Sequence, residues 1–329
     1  MTNMLTLILA IVLALVFGYL NGFNDASGMV ATIISSRAMS PRLALTLTAM
    51  AEFCGPLLFG VAVARTIASG IVTPQQITLY VIIAALAGAI VWGGITWFFG
   101  IPSSSSHALV GGLIGSVAAS VGLRAINFSG LSTVLAVLFA SPVIGLVVGF
   151  LMTKCIYFLA RHASMRVNWF FKKAQIITGV ILGLSHGAND AQKTIGMITM
   201  ALIIAGRLPD FEVPLWVTLV SAAAMSLGVS GGGWRLIRTL GGKFYKIRPV
   251  HGFATQLSAA SVVLAAAALG GPVSTTQVIS SAILGVGSAE RLNKVRWGVA
   301  GQIAIAWLLT IPFSAALSAL LYMLFEAIL

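Results

Sequence analysis

The chain has 329 residues, of which 59% are hydrophobic and only 8% charged, and its mean hydropathy is +1.04. These values exclude a water-soluble globular domain and place the chain in lipid. The net charge of +12 would suit nucleic acid in a soluble protein, but here the basic residues fall in short loops between apolar runs, where Lys and Arg set topology.

The first apolar run, Met4 to Leu20, lacks a basic n-region and leads into Asn21-Gly-Phe-Asn-Asp25 without a small-residue cleavage site, so it reads as a retained helix. Since about 20 apolar residues cross a hydrocarbon core roughly 30 Å thick, five crossings are predicted in the first half. They fall at 4–35, 43–64, 77–99, 102–121 and 131–158. A basic connector carrying Arg161, Arg166, Lys172 and Lys173 follows. A second set is predicted at 174–205, 214–236, 251–270, 272–288 and 297–325. Cys54 and Cys155 lie in different apolar segments, have neither metal-ligand nor disulfide spacing, and read as inert packing residues.

The two sets match one another at an offset of 165 to 173 residues. Asn24-Asp25-Ala26 recurs as Asn189-Asp190-Ala191, and Arg65-Thr66 as Arg238-Thr239. Pro102-Ser-Ser-Ser-Ser106, with Gly115, recurs as Pro272-Val-Ser-Thr-Thr276, with Gly285. Pro142 recurs as Pro312. An odd number of crossings per copy inverts the second copy relative to the first. The expected fold is an all-α integral membrane protein of two inverted-topology repeats. Each has about five membrane-crossing segments, with broken helices or re-entrant hairpins near the midplane. The repeats are 1–159 and 174–329, joined by the connector 160–173.

Loop charge gives the orientation, because cytoplasmic loops are enriched in Lys and Arg. The loop with Arg37 and Arg42 is expected inside, and its counterpart around Arg207, Asp210 and Glu212 outside. The lightly charged loops after Arg65 and around Arg124 have basic counterparts, one with Arg238, Lys243, Lys246 and Arg248, the other with Arg291, Lys294 and Arg296. The connector then lies in the cytoplasm and both termini outside.

Of the seven acids, Asp25, Glu52 and Asp190 lie inside apolar spans, where an ionisable residue is costly and marks function. The Gly-containing stretches Asn21-Gly-Phe-Asn-Asp25 and His186-Gly-Ala-Asn-Asp190 are expected to unwind their helices and free carbonyl oxygens beside the acids. An oxygen-rich cage of such carbonyls beside Asp25 and Asp190 would suit a hard cation such as Na⁺. The bland alternative is a helix-breaking packing motif whose acids bond to neighbours.

In the second constellation, Pro102-Ser-Ser-Ser-Ser-His107 and Pro272-Val-Ser-Thr-Thr-Gln277, proline opens a half-helix and leaves N–H groups free at its positive end. The hydroxyls of these segments add donors around the same point, so two facing copies would surround a tetrahedral oxyanion. A carboxylate near such an anion repels it in low dielectric, so cations or protons on Asp25 and Asp190 would favour anion binding. Asp190→Asn is therefore expected to remove coupled uptake while leaving the protein folded.

Three residues remain ambiguous. Glu52, whose counterpart is Met225, is an extra cation ligand or proton carrier, or a hydrogen-bonded cavity residue. Lys193, one turn after Asp190, is its ion-pair partner or a contact to substrate. His107 could donate to the anion or titrate, and Gln277 at the equivalent place favours hydrogen bonding. Gly111-Gly112 and Gly231-Gly232-Gly233 lack the Gly-Lys-Ser/Thr ending of a nucleotide loop and read as close helix packing.

With these motifs in this order, the chain resembles the inorganic phosphate transporter (PiT) family over almost its whole length. The resemblance implies symport of inorganic phosphate with Na⁺ or H⁺ at the plasma membrane, through a site where the repeats meet, and a homodimer. It implies cation coordination by Asn24, Asp25, Asn189 and Asp190, and an anion held by Ser104, Ser105, Ser106, Ser274, Thr275 and Thr276. The sequence departs from the family at Phe23, where Ala is common, and in Ala26-Ser27-Gly28, where Val-Ala-Asn is usual; the latter removes a polar ligand. The short connector fits a compact bacterial member.

Two rivals remain. Sulfate or another tetrahedral oxyanion would suit the same architecture, although acceptors such as Asp25 beside the anion favour phosphate, which can still donate a hydrogen bond. An intramembrane hydrolase built on Ser106, His107 and an Asp has no use for a duplicated site with Gln277 opposite the histidine.

Overall fold

The computed structural model describes residues 4–164, 166–232 and 247–328. Arg238, Thr239, Lys243 and Lys246, and the end of the span predicted at 214–236, lie outside the described residues. The rest is helical, with one isolated bridge between Val72 and Ile126. Among the described residues, six helices are long and apolar enough to cross a membrane. They are α1 (Met4–Ser35), α2 (Pro41–Phe59), α3 (Leu79–Phe99), α5 (Phe128–Leu159), α9 (Pro249–Ala268) and α11 (Trp297–Ile328). The others are α4 (Ser105–Ser120), α6 (Val167–His186), α7 (Gln192–Ile204), α8 (Leu215–Gly231) and α10 (Thr275–Glu290).

The ten predicted crossings are thus only partly realised at full length. The segments predicted at 102–121 and 272–288 become α4 and α10, of 16 residues each. At 1.5 Å per residue these span about 24 Å, short of the roughly 30 Å core. Their starts are fixed by local chemistry. Gly100, at φ 67, ends α3 in the left-handed region that glycine adopts without strain. Pro102 then bars continuation, and the Ser104 side chain caps α4 by accepting from His107 N at 3.1 Å. After α9, Gly270 has φ 72, and Ser274 caps α10 by accepting from Gln277 N at 3.4 Å.

The halves interlock. α4 packs on α11, α10 on α5, α1 on α8 and α2 on α6, so every one of these contacts joins the first half to the second. Glycines at the crossings let backbones touch, as small residues do between membrane helices. A Cβ on Gly115 would come within 1.9 Å of the Ala315 carbonyl oxygen, and one on Gly285 within 2.1 Å of that of Leu146. Gly22 against Met225 and Gly187 against Glu52 repeat the pattern, at 2.2 and 2.1 Å. Positions related by the sequence offset therefore make the same contact in both halves. Gly115→Ala is expected to cost about 1–3 kcal/mol by forcing α4 from α11, read as a lowered unfolding temperature in detergent.

Two apolar clusters flank the centre. One gathers Ile67, Leu86, Leu113 and Ile195, the other Met29, Leu182, Val263 and Ile283. Large apolar side chains such as Leu58, Val143, Phe158 and Leu308 face outward, because the surrounding solvent is hydrocarbon. Cys54 and Cys155 share that outer surface. They are not the packing residues expected, since lipid-facing and core positions are equally apolar in sequence.

Candidate functional site

The Asn-Asp motifs sit at mid-length on two rods. In α1 the helix runs unbroken through Asn21–Asp25, contrary to the expected unwinding. Gly22 serves instead the close contact with the Met225 carbonyl. In the second half, Gly187–Ala191 forms a five-residue π-helical turn between α6 and α7, the kind of local widening that often marks functional sites. The actual breaks in the chain lie at the Pro-containing turns.

Those turns meet. Ser106 Oγ donates to the Val273 carbonyl at 2.8 Å, and Gln277 Nε2 lies 3.3 Å from His107 Nδ1. His107 Nδ1 is also 2.7 Å from Ser104 Oγ, while its Nε2 has no partner among the described residues. Ser104, Ser106, Ser274, Thr275 and Thr276 are all buried. Ser103, outside the expected set, lies with its Oγ 2.7 Å from Thr96 Oγ1.

The acids lie against the start of α10. Thr276 Oγ1 donates to Asp25 Oδ1, and Thr275 Oγ1 to Asp190 Oδ2. Between the acids stands His186, which is fully buried. Its Nδ1 is 2.6 Å from Glu52 Oε1, and its Nε2 is 3.3 Å from Asp25 Oδ2 and 3.8 Å from Asp190 Oδ2. Lys193, also fully buried, pairs with Asp190 Oδ1 and donates to Ser105 Oγ at 3.4 Å. Three buried carboxylates are thus gathered around one lysine and one histidine. Isolated charges at such a position would be prohibitively expensive, so the cluster holds together only as a set of pairs.

Asp25, His186 and Asp190 offer ligand atoms within 4.8 Å of one another, close enough to share one cation. Glu52 reaches that group through His186 rather than directly, and its Oε2 has no partner among the described residues. Asn24 Oδ1 is likewise unpartnered. Asn189 is different: its Nδ2 donates to Gly271 O at 3.0 Å and its Oδ1 accepts from Val273 N at 3.2 Å. Its amide staples the 271–273 turn to the π-helical turn.

Two cavities of about 20 and 10 Å³ border Asp25. The larger is lined by Asn21, Asn24, Asp25, Ser103 and Ser105, the smaller by Asn24, Asp25, Ser103 and Thr276 among others. Both are no larger than a water requires. Asn24 also lines a separate, wider cavity of about 230 Å³, which shares Gly93 with the larger of the two and is otherwise walled by Tyr19, Leu20, Phe23, Gly94 and Trp97. In its wall Phe23 lies 5.8 Å from Trp97, ring to ring. A cavity of about 680 Å³ between α5 and α9 is far larger but lined almost wholly by apolar residues. It lacks the converging polar groups of an ion site.

The sequence-based site set thus gathers at one place, with Ser104 and Asn189 as builders of the turns. Besides Ser103, three neighbours were missing from it. Asn21 precedes Asp25 by four residues, as His186 precedes Asp190, and that i, i+4 spacing on one helix face was the available signal. Lys193 was seen only as one of two alternatives; the structure gives it both the ion pair and a serine of the first turn.

Comparison with known proteins follows the same line. A sequence model described as the phosphate transporter family matches residues 21–318. A Bacillus subtilis protein named "Probable low-affinity inorganic phosphate transporter" is 42% identical over 325 residues, covering 98% of this chain and 97% of its own. A Rhizobium meliloti protein of the same name is 44% identical over 314 residues, covering 95% and 94%. A solved structure titled "The sodium-dependent phosphate transporter" superposes with a TM-score of 0.91 at 29% identity, over 99% of this chain and 100% of that one.

Proposed function

Because this chain belongs to the phosphate transporter family, it is a membrane-embedded transporter of phosphate and not an enzyme, and we propose that it carries the anion by symport with Na⁺ or H⁺. The observation that carries this reading is the double junction at the start of α10, where Thr275 and Thr276 each bind one of the two motif acids. The donors that would hold an oxyanion are thereby in contact with the acids that would hold a cation. Neither charge is well placed without the other, since an anion beside uncompensated carboxylates is repelled in low dielectric.

In this reading, the serine-rich turns supply the anion site through Ser104, Ser105, Ser106, Ser274, Thr275 and Thr276, with His107 and Gln277 at its edge. Asp25, Asp190 and His186 supply the cation site, with Asn24 beside it. Phosphate arrives through the wider cavity at Phe23 and Trp97, and its arrival requires the small cavities around Asp25 to open. Once both ions are seated, the threonines can turn from the acids to the anion, because cation charge has replaced their hydrogen bonds. The reciprocal helix contacts of the two halves are the physical basis for inverted repeats 1–159 and 174–329 that reorganise about this centre. Orientation with the connector inside and both termini outside, residence in the plasma membrane, and assembly as a homodimer complete the proposal.

Phosphate uptake into proteoliposomes under imposed Na⁺ or H⁺ gradients tests it. The expected result is accumulation above equilibrium driven by one of the two gradients, with little competition from sulfate. Sulfate lacks the proton that lets bound phosphate donate to Asp25 or Asp190. Equal competition by sulfate would assign the site to tetrahedral oxyanions in general, and uptake that follows neither gradient would remove coupling.

A further inference from the structure

We infer that the Lys193 ammonium is a tethered coupling cation: it permanently occupies a cation position at Asp190, so that phosphate crosses with one mobile cation fewer than the two motif acids would otherwise demand. The inference rests on the symport reading above and specifies its ion count.

Asp25 and Asp190 are equivalent under the offset of 165 residues, yet their surroundings differ. The residue three positions after Asp190 is Lys193, and three positions after Asp25 is Gly28. A Cβ at Gly28 would have the apolar Ile279 as its nearest neighbour, with Cδ1 at 3.1 Å. Asp25 therefore receives a threonine hydroxyl and the shared His186, but no fixed positive charge among the described residues. Asp190 receives the same two kinds of partner and an ammonium besides.

Charge then decides what remains to be bound. A buried carboxylate needs a positive partner, and Lys193 supplies it to Asp190 at every stage of the cycle, with no gradient to draw on. The oxygen of Asp190 that faces His186 and Asp25 is left for the one mobile cation that those three residues can share. Lys193 also reaches Ser105 Oγ at 3.4 Å, on the first serine-rich turn. Its charge is consequently next to the arriving anion whatever the external cation concentration.

The test replaces Lys193 by Gln, which removes the charge and leaves an oxygen able to bind Na⁺, and by Met, which fills the space and offers none. Initial phosphate uptake by proteoliposomes is measured against Na⁺ at fixed pH, with K⁺ as the balancing ion. The order of the Na⁺ dependence is expected to rise by one in Lys193→Gln, whether the parent shows order zero or one. At about 1 mM Na⁺ the variant should lose roughly 100-fold, the scale of an unpaired buried charge, and recover most of it at about 100 mM. Lys193→Met should stay low throughout. An unchanged order with only a raised phosphate KM would make Lys193 a phosphate ligand and overturn the inference. If Lys193→Gln transports nothing, Na⁺-dependent stabilisation in detergent decides: a larger rise of Tm with Na⁺ than in the parent supports the tethered cation, and no increase overturns it. Absence of gradient-driven phosphate uptake by the parent would defeat the symport reading instead, and the Tm measurement separates the two failures.

Discussion

Asp25→Asn is expected to lower gradient-driven phosphate uptake by roughly 100-fold or more while leaving the unfolding temperature within a few degrees of the parent. The variant keeps an oxygen that can accept from Thr276, so the start of α10 stays in place. What disappears is the one carboxylate charge of the shared cation site that no lysine offsets among the described residues. Asp190→Asn should abolish coupled uptake to the same degree but with a different signature. There the lost charge is also the partner of the fully buried Lys193. Removing one member of a buried ion pair costs about 3–5 kcal/mol, so this variant should melt well below Asp25→Asn. The sequence alone led to the expectation that Asp190→Asn stays fully folded, and the ion pair is the reason to revise it. Parallel uptake and thermal-unfolding measurements check both. Near-parental coupled uptake in either variant would contradict the assigned roles.

Asn189→Ala should raise the phosphate KM and cut kcat/KM by roughly 10- to 100-fold. The basis is two hydrogen bonds, to Gly271 O and from Val273 N, whose loss leaves a donor and an acceptor of the 271–273 turn unpaired at a cost of about 1–3 kcal/mol each. Because Val273 O also receives the Ser106 hydroxyl, the turn holds both halves of the anion site in register. The cation order should not change, since Asn189 is a positioning residue whose amide oxygen already has a partner. A shift in cation order with unaltered KM would instead make it a direct cation ligand, as the motif alone suggested.

These expectations separate what the sequence disclosed from what it concealed. The duplicated Pro-Ser and Asn-Asp motifs were legible because proline, capping hydroxyls and intramembrane acids each have few structural uses, and their repetition at one spacing narrows those further. Glycine was read wrongly at Gly22 because it has several uses. The same residue that permits unwinding also permits two backbones to touch, and only the Met225 carbonyl shows which applies. The proline breaks before α4 and α10 were foreseen, but these segments were still counted among the crossings, because hydropathy does not distinguish a buried 16-residue arm from a full crossing. The union of His186 with Glu52 joins α6 to α2 across 134 positions, and no local pattern announces such a pair.

The interlocking of the two halves has a consequence for biogenesis. As the ribosome releases α4 and α5, the partners that bury their small-residue faces, α11 and α10, have yet to be made. The early helices must wait in the bilayer with Gly115 and Gly145 facing lipid, and the acid of α1 without its threonine. The decisive packing step therefore waits on the second half. A nascent chain stalled before residue 275 should be inserted yet remain open to protease and quality control, and should gain resistance only when the last two helices arrive.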